Sequence, residues 1–285
     1  MPSFTDAALQ VNGITLSYRE WPGEKGPVLC LPSLTGHKGT FDSLARRLAP
    51  EFHLYALDLR GRGDSDKPAE GYGFAYHARD LLGFADALGW ETFTLIGHSF
   101  GATAGVYLAS IRPGRVAALV LIDGGADPKE EVLQAMYPAI RHLEKTYPDP
   151  ATYLAAMKKV PYYQPWNPAL ERYLLEDLQT LPDGRLRSKS SPQAIRRDLD
   201  MHFMYSMCVH FPTLQCPTLF IRPQNGLLGD KAHILDEKEA AAFVAWIPNC
   251  WRVDLPGVNH YTMILDDPPL VAGPIRAFLE AGSGE

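Results

Sequence analysis

The strongest constraint on the fold is a rhythm of short, unbroken apolar runs separated by longer stretches of helical pattern. Val28 to Leu31, Leu54 to Leu57, Phe93 to Ile96 and Val116 to Ile122 are such runs. They lack strict alternation of apolar and polar residues, so each reads as a strand buried on both faces. Between them lie helical patterns: Phe41 to Leu48, with apolar residues at 41, 44, 45 and 48, then Tyr76 to Leu88, then Ala102 to Ile111, which Pro113-Gly114 stops. Strands and helices in this alternation form a mostly parallel, doubly wound α/β sheet. The N-terminus differs. Ala8 to Val11 and Ile14 to Trp21 flank Asn12-Gly13, the turn signal of an antiparallel hairpin.

The alternation stops after Asp123. From Asp127 to about Pro212 the pattern is helical, repeatedly broken by proline, and contains no buried strand. It resumes with a strand over Thr218 to Ile221, a helix over Glu237 to Trp246, a strand over Trp251 to Leu255 and a last helix over Leu270 to Leu279. The economical reading is a core domain of residues 1–125 and 213–285, with a helical cap, 126–212, inserted after the sixth strand. A cap rooted at the C-terminal edge of a parallel sheet covers the place where ligands bind.

The bulk properties exclude several function classes. A chain of 285 residues can bury a sizeable core. A net charge of -6 leaves no basic footprint for nucleic acid. The longest apolar run, near Ala117 to Ile122, is far short of the roughly 20 residues that cross a bilayer. Met1 to Asp6 carries no secretory pattern. Cys30, Cys208, Cys216 and Cys250 match no zinc or redox spacing and read as buried, reduced thiols of a cytoplasmic protein. With no metal cluster and no phosphate loop, no cofactor is expected, and the partner is a small-molecule substrate. Nothing in the sequence sets an oligomeric state.

Gly97-His98-Ser99-Phe100-Gly101 fits the pattern G-x-S-x-G, with a strand before it and a helix after it. A serine on such a sharp turn is lifted above the sheet beside a helix N-terminus, and the flanking glycines remove Cβ contacts. Leu57-Asp58-Leu59-Arg60-Gly61-Arg62-Gly63-Asp64-Ser65 and Pro256-Gly257-Val258-Asn259-His260-Tyr261-Thr262 complete the pattern. In these segments, and in the order of Ser99 before His260, the chain resembles the α/β-hydrolase superfamily across nearly its full length. Ser99 is then the nucleophile. His260, in a loop returning to the C-terminal sheet edge, is its base. His98 is a packing element beneath the turn, and His77 lies in a surface helix pattern.

The resemblance implies an acid after the strand that follows the cap. Arg222 to Asp230 has Asn225-Gly226 where that carboxylate belongs, and Asp230 is available only if its loop folds back. Asp123, at the end of the neighbouring strand, is the favoured acid, as in some members of the superfamily. Its alternative role is to cap the first turn of the insertion. The oxyanion donors are the backbone N–H of Phe100 and, from the resemblance, that of Leu34. Pro32-Ser33 stands where the family usually has His-Gly, and Ser33 is either a polar group at the site or a turn residue. Tyr162, Tyr163, Trp166 and Phe203 are candidates to line a pocket or to form the cap's own core. Arg222 either meets a substrate anion or pairs within its loop, and His37 and Lys38 are solvated. Esters and lactones demand least of the leaving group, which favours a carboxylic-ester hydrolase working through an acyl-enzyme. Activated amides and C–C bonds use the same groups, an oxygen- or peroxide-using enzyme would keep Ser99 and His260, and a non-catalytic binding protein on the same fold is the alternative of another class.

Overall fold

The computed structural model describes residues 3–266 and 270–282; the side chains of Ala135, Pro138, Ala139, His202 and Phe203 fall outside that description. The sequence opens with a hairpin of β1 (Thr5–Val11) and β2 (Ile14–Trp21). Asn12 and Gly13 take φ values of 51° and 79°, the paired left-handed conformations of a tight hairpin turn. The core strands follow as β3 (Lys25–Leu31), β4 (Phe52–Leu57), β5 (Phe93–His98) and β6 (Val116–Ile122). A separate hairpin, β7 (Leu178–Thr180) and β8 (Leu186–Ser188), precedes β9 (Thr218–Pro223) and β10 (Cys250–Leu255). The main sheet has the order β1-β2-β4-β3-β5-β6-β9-β10. The β1–β2 and β2–β4 pairs are antiparallel, and every pair from β4 to β10 is parallel.

Burial on both faces explains why the core strands read as continuous apolar runs. In β3, Val28 and Cys30 join one hydrophobic layer while Leu29 and Leu31 join the other. In β6, Val120 and Ile122 face the first layer and Leu119 and Leu121 the second. Helices α1 (Asp42–Leu48), α2 (Phe74–Ala87) and α3 (Phe100–Ile111) alternate with the strands.

Between β6 and β9 lie α4 (Glu130–Leu143), α5 (Pro150–Met157), α6 (Pro168–Glu176) and α7 (Pro192–Met204). Three of the prolines start helices rather than break them. Pro150, Pro168 and Pro192 follow Asp149, Asn167 and Ser191, whose side chains accept the N–H groups of Thr152, Leu170 and Ala194. Proline suits the first helical turn because its missing N–H has no partner there anyway. The β7–β8 hairpin corrects the expectation of a purely helical insertion; its three-residue strands are too short to show a period of two. After β9 come α8 (Glu237–Trp246), α9 (Thr262–Leu265) and α10 (Ala272–Gly282). The four cysteines are free, but only Cys30 is fully buried. Among the described residues no helix is long and apolar enough to cross a membrane.

Candidate active site

Ser99 is the single residue between β5 and α3, with φ 55° and ψ −117°. That is a strained backbone for a residue with a side chain. Its surroundings are built for close approach. A Cβ on Gly97 would lie 2.4 Å from the Ala102 nitrogen, and one on Gly101 would lie 2.3 Å from the Leu31 carbonyl oxygen. One on Gly124 would lie 2.3 Å from the carbonyl oxygen of Ser99 itself. The Ser99 N–H donates to the Ile122 carbonyl at 2.9 Å, and the Ala102 N–H donates back to the Ser99 carbonyl at 2.9 Å.

Asp123 follows β6 with φ 42°, and its N–H donates to the Ile221 carbonyl at 2.8 Å, tying the end of β6 to β9. Asp123 Oδ2 lies 2.7 Å from His260 Nδ1, with both side chains almost fully buried. A carboxylate only accepts, so this bond puts the imidazole proton on Nδ1 and leaves Nε2 as a lone-pair acceptor. His260 Nε2 is buried and has no hydrogen-bond partner among the described residues. Asn259 fixes the loop: its Oδ1 accepts the N–H groups of Tyr261 and Thr262 at 3.0 Å each, and its Nδ2 donates to the Tyr162 carbonyl at 3.1 Å. His98 packs its ring 4.5 Å from that of His260, centre to centre, and its Nε2 lies 3.0 Å from the His260 carbonyl. Burial, reinforced by the neighbouring His260, holds the His98 pKa well below the ordinary histidine value. Asp230 is exposed, in a loop that closes on itself through a Gly226 N–H to Gly229 carbonyl bond of 2.6 Å. The geometry therefore pairs His260 with Asp123 and leaves Asp230 apart.

Ser99 opens on a cavity of about 40 Å³ whose walls include Leu34, Phe100, Leu133, Met136, Leu199 and Ile234. Leu133, Met136 and Leu199 come from the segment between β6 and β9, the others from outside it. Phe100 is the first residue of α3, where helix N–H groups lack internal acceptors. The Leu34 carbonyl accepts Arg62 Nε at 2.9 Å.

Other sequence candidates sit elsewhere. Tyr162 and Tyr163 pack against Tyr261, with ring centres 5.1 and 5.0 Å away, and line a second cavity rather than that of Ser99. Trp166 lies over Lys158 and donates to Glu171 at 3.0 Å, both within the insertion. The Phe203 side chain is outside the described residues. Arg222 donates to the Leu235 carbonyl at 2.9 Å and reaches Glu237 and Asp254 at 3.3 and 3.6 Å, so its charge is spent within its own surroundings. Ser33 is part of a turn in which its carbonyl accepts the Gly36 N–H at 3.0 Å. His37 and Lys38, expected in solvent, are buried. Lys38 Nζ lies 2.8 Å from Asp58 and 2.7 Å from Asp64, and His37 stacks on Tyr173 at 4.4 Å. His77, expected on a helix surface, is fully buried because it meets Asp198 of α7 at 3.0 Å. Gly124, Arg62 and Asp198 were not singled out by sequence. Gly124 carried a local signal in following directly on Asp123, and Arg62 in lying within the Leu57–Ser65 segment; Asp198 carried none.

The family model of the alpha/beta hydrolase fold matches residues 26–267. The chain belongs to the alpha/beta hydrolase family. This alpha/beta hydrolase is 27% identical over 283 residues to 2-(acetamidomethylene)succinate hydrolase of Mesorhizobium japonicum, covering 98% of the chain and 96% of that enzyme. A crystal structure of E-2-(acetamidomethylene)succinate hydrolase superposes with a TM-score of 0.85 at 25% identity, covering 98% of this chain and all of that one. N-formylmaleamate deformylase of Pseudomonas putida is 35% identical over 116 residues, a stretch that spans 40% of this chain and 43% of the relative. Lipase LipV of Mycobacterium tuberculosis is 33% identical over 169 residues, 57% of this chain and 62% of the lipase.

The second cavity, also about 40 Å³, is bounded by Thr35, His142, Tyr153, Tyr162 and Tyr163, with Asp177 in its wall. Asp177 accepts a hydrogen bond from the Ser188 hydroxyl through Oδ2, while Oδ1 is buried with no hydrogen-bond partner among the described residues. Burial pushes the Asp177 carboxyl up to about 6. The folded chain thus holds this proton more tightly than the unfolded chain does. The stability it contributes is fully present below about pH 4 and is lost as pH rises to about 6. Asp177→Asn is expected to be more stable than wild type at pH 7.5, by on the order of 3 kcal/mol, with the gain vanishing near pH 4. Urea unfolding at both pH values checks this; a variant less stable at pH 7.5 would show that the fold needs the carboxylate.

Proposed function

We propose that the protein is a serine hydrolase that cleaves carboxylic esters or lactones with a short, apolar acyl group. The observation that carries the reading is Ser99 on its strained turn, facing an apolar cavity, with the buried Asp123–His260 pair presenting a free imidazole nitrogen. Ser99 Oγ attacks the carbonyl carbon while His260 Nε2 takes the hydroxyl proton, and Asp123 steadies the resulting imidazolium. The N–H groups of Leu34 and Phe100 stabilise the oxyanion. Collapse of the tetrahedral intermediate breaks the bond to the leaving alcohol, which takes the proton from His260. Water, deprotonated by His260, then releases the acid and restores Ser99. Residues 126–212 act as a cap, since Leu133, Met136 and Leu199 complete the wall around the nucleophile.

The substrate class follows from the lining. No Lys or Arg is among the described residues around the Ser99 cavity. A carboxylate of the kind that "succinate" implies in a relative's name would find no cation among those described residues. The volume suits on the order of three water-sized groups, a short acyl chain. Cleavage of an amide is the second reading, favoured by the near-complete alignment with 2-(acetamidomethylene)succinate hydrolase.

With 4-nitrophenyl esters, kcat/KM is expected to be at least about tenfold higher for acetate and butyrate than for decanoate, as the apolar walls beside Ser99 fit a short acyl chain. Preference for anilides, or for acyl groups bearing a carboxylate, would overturn the ester assignment. Asp123→Asn is expected to lower kcat by about 10⁴, as loss of an orienting carboxylate does, with Asp230→Asn close to wild type; the reverse ranking would sink the assignment of the acid. Gly124→Ala is expected to lower kcat/KM by about a hundredfold, because its methyl must displace the Ser99 backbone. Wild-type rates would mean that the turn yields without moving the nucleophile.

A further inference from the structure

We infer that Asp198, on the insertion helix α7, is a positioning residue for both oxyanion donors and acts on them through Arg62 and His77. The inference rests on Ser99 being the nucleophile and on Leu34 and Phe100 being the donors. Arg62, in the loop after β4, is completely buried, and so is Asp198. Arg62 Nη1 lies 2.6 Å from Asp198 Oδ2 and donates to the Arg60 carbonyl at 2.8 Å. Its Nε donates to the Leu34 carbonyl at 2.9 Å, so the same guanidinium that binds the carboxylate holds the residue whose N–H is one donor. The guanidinium also lies 5.5 Å from the ring centre of Phe100, whose N–H is the other donor.

Asp198 also binds a second neighbour of Phe100. His77 Nε2 lies 3.0 Å from Asp198 Oδ2, and the His77 ring meets the Phe100 ring edge-on with centres 5.2 Å apart. The Gly73 N–H, at the start of α2, donates to Asp198 Oδ1 at 2.6 Å. One carboxylate therefore binds two side chains that pack on Phe100, one of which also anchors Leu34. Removing its charge leaves a guanidinium buried without a counter-ion, a state so costly that the side chain must move. Both donors are released when it does. The carboxylate comes from the insertion, and the next residue, Leu199, lines the Ser99 cavity. Seating of α7 thus closes the pocket wall and fixes the oxyanion donors through one contact. A hydrogen-bond donor placed only for the transition state raises kcat without improving substrate binding.

The test uses the full chain with 4-nitrophenyl acetate as substrate and a short-chain trifluoromethyl ketone, which forms a tetrahedral oxyanion on the serine. Asp198→Asn keeps the shape and loses the charge; kcat is expected to fall 30- to 300-fold with KM changed less than about threefold. The inhibition constant of the trifluoromethyl ketone is expected to rise by the same factor as kcat falls. Arg62→Lys keeps the charge opposite Asp198 but loses the fork that reaches Leu34. It is expected to unfold near the wild-type temperature and still to lose at least tenfold in kcat, so it carries the test if Asp198→Asn does not fold. Wild-type kcat in a folded Asp198→Asn or Arg62→Lys, or losses expressed in KM with unchanged ketone inhibition, would overturn the inference and leave the network a purely structural joint. A wild-type protein that neither hydrolyses the ester nor binds the ketone would instead overturn the assignment of Ser99.

Discussion

The turn at Ser99 is the constraint around which the interior is arranged. A left-handed φ at a residue with a side chain persists only where the surroundings over-determine it. Here the strand before Ser99, the helix after it and the neighbouring strand β6 all hold the same peptide. The turn at Asp123, also left-handed, lies beside it, and the two fit together because Gly124 has no side chain to strike the Ser99 carbonyl. Parallel pairing of β6 with β9 holds Asp123 through the Ile221 carbonyl, and from there its carboxylate meets His260. Sheet register and site geometry are thus one property.

The insertion between β6 and β9 shows how buried carboxylates are handled in two ways. Asp198 and Asp177 are both buried, and burial alone disfavours the charge of each. Against that burial, Asp198 has His77 and Arg62 beside it and the Gly73 N–H donating to it, and these hold its pKa well below the usual carboxylate range. Asp177 has the Ser188 hydroxyl as its donor and one oxygen with no partner among the described residues, and its pKa rises. The first arrangement joins the insertion to the core around Phe100. The second lies beside a cavity that the tyrosines enclose. Polar burial that is well partnered builds a rigid joint, and poorly partnered burial is a cost to stability.

Much of this was legible in the sequence because the signals are local. The apolar runs mark β3, β5, β6 and β9 within a few residues, and the flanks of Gly97 to Gly101 mark the turn. The nearness of Asp123 to His260 followed from strand ends that share one sheet edge. What stayed open or misread depended on distant partners. Tyr162 and Tyr163 turn toward Tyr261, roughly a hundred positions along the chain, and nothing in their own segment shows it. Lys38 and His77 read as solvated because the carboxylates that permit their burial, Asp58 and Asp198, lie in other elements. Two further signals were local and legible. Asp149-Pro150, Asn167-Pro168 and Ser191-Pro192 are helix starts, each an N-cap followed by proline. Pro182-Asp183-Gly184 is a turn signal, and the β7–β8 hairpin forms around it.

The central claim is that Ser99 is an activated nucleophile, and intact mass after brief exposure to a fluorophosphonate tests it most directly. The account predicts one adduct on the wild-type chain, none on Ser99→Ala, and strongly slowed labelling of His260→Ala. An adduct that persists in Ser99→Ala, or a wild-type chain that takes up no probe while still hydrolysing esters, would contradict it.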